Sequence, residues 1–200
     1  LLYQVGRVEE GLEMHGRALA IEPMLPLAVA HRVWAYGALG RVQEGDREMS
    51  LGNERWPGHP LIWTNSFRHL LYSQRPESAA AFARDPRVRP TAMPVEAAEA
   101  QARLADALGS ADSGRRVAAV REQEERMRRD AAAAPAAAPA LAALGRPDLA
   151  LGALERYLLG PATGPTPDRT TSMLFAPPLA GLSREPRFAA LLRRIGLARY

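Results

Sequence analysis

Four histidines, His15, His31, His59 and His69, are the side chains in this sequence best suited to hold a metal or move a proton at neutral pH. A metal site on one helix needs ligands about a turn apart, so that two imidazoles leave the same face. None of the four stands at that spacing from another, and no His-Glu-x-x-His motif occurs. A packing or helix-surface role accounts for each. No serine lies in a Gly-x-Ser-x-Gly elbow, and no closely spaced glycines precede a helix to cradle a phosphate. Cysteine is absent, which removes thiolate catalysis, disulfides and Cys-ligated zinc together. The carboxylates stand mostly in i, i+4 company with arginine, where they stay ionised. The expectation is a protein without enzymatic activity, metal or cofactor.

The strongest charged feature is a segment read as a helix from about 115 to 134. It carries Arg115, Arg116, Arg121, Arg126, Arg128 and Arg129, interleaved with Glu122, Glu124, Glu125 and Asp130. Glu122–Arg126, Glu124–Arg128 and Glu125–Arg129 are i, i+4 pairs in the favourable order, each worth about 0.3–0.5 kcal/mol. They describe a solvated helix. The net charge of +4 comes from 26 cations that are all arginine, a bias that a GC-rich genome explains. Nucleic-acid binding through this helix is the lesser alternative, because such binding needs a clustered basic face.

The elements that would position any site are helical. Ala and Leu dominate, aromatics make up 6% of the residues, and β-branched residues are sparse, a mixture that favours an all-α fold. Gly6-Arg7-Val8-Glu9-Glu10-Gly11 returns as Gly40-Arg41-Val42-Gln43-Glu44-Gly45, an offset of 34 residues, and the same offset carries Pro23 onto Pro57. Gly6 and Gly40 suit turns between paired helices, and the prolines suit helix ends. Helices are expected over 8–21 and 26–39. A third unit starts at Pro60, with a turn, 73–77, that lacks glycine and a second helix cut short by Asp85-Pro86. Beyond it the expectation is a helix over 95–108 closed by Gly109, helices over 136–144 and 149–159 joined at Gly145-Arg146, a loop over 160–171, and a short helix within 182–200.

With that period and those helix pairs, the chain resembles the tetratricopeptide repeat family. The resemblance rests on Gly6, Gly11, Pro23, Gly40, Gly45 and Pro57, on Trp63 and Ala79 in the third unit, and on the returning turn at Gly145. It implies a right-handed α-α superhelix of antiparallel helix pairs with a C-terminal capping helix. Three regions follow: repeats over 1–93 with the first truncated, degenerate helical pairs over 94–160, and a loop with a capping helix over 161–200. Gly11 and Gly45 stand where the family uses Ala, and Gly52 stands where the first repeat has Ala18, so the second repeat is expected to be the looser one. Leu174-Phe175-Ala176-Pro177, Leu182 to Phe188, Arg194 to Leu197 and Tyr200 resemble the end of certain bacterial members, with Arg84 to Pro90 resembling their middle. In those members the repeats follow a winged-helix, nucleotide-cyclase or TolB-like segment.

The family's binding mode implies a partner segment in a concave groove lined by the first helix of each pair. On this chain that surface would carry Arg32, Trp34, Asn65, Arg68 and Tyr72. The equally available reading is that Trp34 and Tyr72 are core between neighbouring pairs. The carboxylate clamp of chaperone-tail-binding members relies on Lys, and this sequence has none. The functional expectation is a non-catalytic protein–protein interaction scaffold, the C-terminal sensor or scaffold region of a bacterial transcriptional regulator. Its partner would be a protein or peptide, and its output domain would lie upstream of Leu1. A small-molecule-sensing helical domain is the alternative. A cytoplasmic location is expected, with the periplasm open because a cysteine-free chain suits both.

Overall fold

A computed structural model describes residues 1–160 and 169–197; the expected loop over 160–171 falls largely, and Tyr200 wholly, outside them. The described residues form helices joined by turns and irregular segments and contain no strand. They form two compact units, Val8–Ala111 and a second that joins Leu1–Arg7 to Asp112–Tyr200.

The first unit holds α1 (Val8–Ile21), α2 (Pro26–Ala38), α3 (Val42–Arg55), α4 (Pro60–Tyr72), α5 (Pro76–Arg84) and α6 (Val95–Gly109). Proline opens α2, α4 and α5, where its missing N–H would have had no partner in any case. Helix α2 packs against α1, α3 and α4, and α5 packs against α4 and α6. The core is built from Val29, Val33, Ile62, Phe67 and Leu70, with many alanines between them. Trp63 is 3% exposed and stacks on Phe67 at 5.6 Å, one turn along the same helix.

The turns repeat more faithfully than the residues do. Gly6, Gly40 and Gln74, spaced 34 residues apart, all take the left-handed conformation, with φ of 81°, 69° and 60°. In each case the next residue's N–H reaches back to the carbonyl five residues earlier: Arg7 to Leu2 (3.1 Å), Arg41 to Tyr36 (2.9 Å) and Arg75 to Leu70 (3.2 Å). This bond satisfies a carbonyl that the ending helix leaves open. The arginine then starts the following helix, its carbonyl accepting from Gly45 after Arg41 and from Ala79 after Arg75. Gly145-Arg146 closes the same loop onto Leu141 at 2.8 Å, and Ala150 donates to Arg146. The third copy, which lacks glycine in sequence, thus keeps the backbone form with Gln74.

A left-handed residue with a Cβ is strained by about 1 kcal/mol. Gln74→Gly is therefore expected to stabilise the chain by up to about 1 kcal/mol, raising the melting temperature by about 2–4 °C in calorimetry. A fall would show that the Gln74 side chain holds the turn.

Gly45 and Gly52 do not loosen the second repeat. A Cβ on Gly52 would lie 3.1 Å from Ile62 Cγ2 and 3.2 Å from Val29 Cγ1, so glycine there lets α3 approach α2 and α4 closely. Gly45 is filled still more tightly, by the His69 ring. The missing methyl groups are replaced by neighbours, not by space.

The second unit contains α7 (Ser113–Arg129), α8 (Ala134–Ala143), α9 (Pro147–Leu159) and α10 (Pro186–Arg194), with 3-10 turns over Leu2–Val5, Ala131–Ala133, Ser172–Phe175 and Pro177–Arg184. Helix α8 packs against α7, α9 and the Pro177–Arg184 turn. The charged helix stops five residues before the expected 134, because Asp130 leaves the helical conformation and its carboxylate accepts the Ala132 N–H at 2.9 Å. Asp112 caps the other end of α7 through the Gly114 N–H. Gly109 lies within α6, and the extended residue that ends that helix is Ser110. Gln4 ties the two ends of this unit together. Its side chain donates to Thr170 Oγ1 and accepts from the backbone N–H groups of Thr171 and Ser172.

Candidate functional site

Helix α4 is closed on most sides. Between Leu61 and Tyr72 only Leu61, Thr64, Arg68 and Tyr72 retain accessible surface, a stripe at i, i+3, i+7 and i+11. Between Leu27 and Ala38, helix α2 keeps accessible surface at Leu27, His31, Arg32, Trp34, Gly37 and Ala38. Leu27 matches Leu61, Trp34 matches Arg68 and Ala38 matches Tyr72 at the 34-residue offset. Both helices run against α3 and pack on each other, so equivalent positions on the two share a face. That face presents two leucines, each 43% exposed, the aromatic rings of Trp34 and Tyr72 and the Arg68 guanidinium. No carboxylate belongs to the two stripes. Burial pushes the Tyr72 phenol up to about 12, against the opposing charge of Arg68, so Tyr72 stays a neutral hydrogen-bonding group.

Of the five residues expected to line a groove, Trp34, Arg68 and Tyr72 fall on this face, and Arg32 and Asn65 do not. One residue of helix is a rotation of about 100°, enough to turn Arg32 away from the Leu27–Trp34–Ala38 row and Asn65 away from Thr64. Arg32 reaches α3, donating from Nε to Glu48 Oε1 at 2.8 Å and from Nη2 to the Tyr36 hydroxyl at 2.8 Å. Its Nη1 end fits over Gly16 of α1, where a Cβ would approach to 3.1 Å. Asn65 is buried, and its amide donates to the Ala30 carbonyl at 2.9 Å, joining α4 to α2. Both are fastenings between helices. Trp63, Ala79 and the repeat glycines likewise sit at helix contacts or turns.

A polar cluster that no motif announced lies at the base of α4. The His69 side chain has no exposed surface, and its Nε2 stands 3.0 Å from Asp46 Oδ1. Arg75 grips the same carboxylate with two nitrogens, at 2.7 and 3.0 Å. Partial burial works against the charge on Asp46, yet the hydrogen bonds from Arg75 and His69 hold its carboxyl below the ordinary aspartate value. The ring fills a slot between Gly37 and Gly45, and its Nδ1 is buried without a hydrogen-bond partner. The cluster ties α3, α4 and the turn after α4 in one place. Both Asp46 oxygens are engaged by these bonds, and the His69 ring has no exposed side-chain surface.

A second pair also crosses between helices. His31 Nδ1 stands 3.2 Å from His15 Nε2, the rings meet edge to face at 5.1 Å, and His15 Nδ1 donates to the Gly11 carbonyl. Burial first, and the His15 imidazole second, lower the His31 pKa. His15 and His31, like Arg32 and Glu48, are 16 residues apart. That is a contact across antiparallel helices, and a search for ligands within one turn passes over it.

Helix α7 buries Ala119, Val120 and Gln123 and leaves Ser113–Ala118 exposed. Of its expected pairs, Glu125–Arg129 forms at 2.9 Å. Among the described residues no group of three or more histidines or carboxylates could hold a metal ion, and no helix is long and apolar enough to cross a membrane. No protein-family model, curated protein or solved structure matches the chain.

Proposed function

We propose that the chain is a non-catalytic interaction scaffold, built as a tetratricopeptide-like solenoid, that holds a peptide or partner helix along the accessible stripes of α2 and α4. The observation that carries this reading is the pairing of the two stripes. Leu27 and Leu61, Trp34 and Arg68, and Ala38 and Tyr72 stay accessible at equivalent positions of neighbouring helices, and they bring apolar, aromatic and cationic groups to one surface. Such groups are the usual anchors of binding energy, and a face without carboxylates favours a segment that is apolar with an acidic group. The left-handed turns at 40 and 74, one repeat length apart, support the solenoid itself. By the resemblance at its C-terminal end, this scaffold belongs to a cytoplasmic bacterial regulator whose output domain precedes it.

The test uses peptides selected from a random display library on the wild-type chain. Replacing Arg68 and Tyr72 together by Ala is expected to weaken those peptides at least about tenfold, equivalent to about 1.4 kcal/mol, with the chain still folded by circular dichroism. Retained affinity in the double variant overturns the assignment of this face. The companion Arg115→Ala/Arg116→Ala variant is expected to bind like wild type; a matching loss there would place binding on α7.

A further inference from the structure

We draw no further inference here: the strongest candidate, the buried Asp46–His69–Arg75 cluster between α3, α4 and the turn after α4, has its imidazole walled in by the backbones of Gly37 and Gly45 with no exposed surface, and so belongs to the helix contact already described.

Discussion

Replacing Gly45 by Ala is expected to lower the stability of the protein by about 2 kcal/mol, even though Ala is the better helix former by about 1 kcal/mol. The new Cβ would collide with Cε1 of His69, so the ring or α3 would have to shift. The ring has nowhere to turn, since it is fully buried and tied to Asp46. Overpacking of this kind costs about 3 kcal/mol, which outweighs the gain in propensity. For a chain of 200 residues the net loss corresponds to a melting temperature lower by about 4–8 °C. The cause is separable. In a His69→Ala background the same Gly45→Ala change should become neutral or stabilising by up to about 1 kcal/mol, a coupling that a double-mutant cycle reads directly. Equal effects in the two backgrounds would refute the slot.

Asp46→Ala should be the second most damaging substitution, losing about 1–2 kcal/mol and about 2–8 °C of melting temperature. The loss arises because the buried His69 Nε2 and two Arg75 nitrogens lose their acceptor. The figure allows for solvent screening at a side chain that is 37% exposed. The pH dependence has a definite sign. The folded-state pKa of Asp46 lies below its unfolded value of 3.8, so its contribution is complete above that value and is lost as pH falls through the folded one. Wild type and Asp46→Ala should therefore differ most near neutrality and converge in acid. Denaturant melts at pH 7 and pH 3 test this, and a difference that grows towards acid would contradict it.

The all-helical class and the early helix bounds were legible because two independent signals agreed. The glycine-led hexapeptide marked the turns, and the prolines at 23, 57 and 60 marked helix ends, so α1, α2 and the early stop of α5 were placed closely. What the residues concealed was conformational. Gln74 takes the left-handed turn that glycine would have advertised, because the repeat fixes the backbone path and Gln accepts the strain. Gly45 and Gly52 looked like lost methyl groups, and only the neighbours reveal that His69, Ile62 and Val29 occupy the space. In sequence Asp130 counts as one more charge on a long helix, whereas its carboxylate caps the next turn.

The candidate surface was legible in part for a related reason. Trp34, Arg68 and Tyr72 follow from counting along α2 and α4, but side-chain direction changes completely within one residue. Arg32 and Asn65 stand beside accessible positions and point into helix contacts instead. The Asp46–His69–Arg75 cluster spans 29 residues of sequence and three elements, so no local pattern contains it. Its one sequence trace is the glycine at position 45, in a place where Ala would otherwise be the natural choice.

The central claim is that the α2–α4 face receives a partner segment. Backbone NMR titration of the whole chain with a display-selected peptide tests it most directly. Shifts are expected to concentrate at Leu27–Ala38 and Leu61–Tyr72, to saturate with binding and to be abolished by Arg68→Ala/Tyr72→Ala. Shifts confined to Ser113–Arg129, or binding that survives the double substitution, would contradict it.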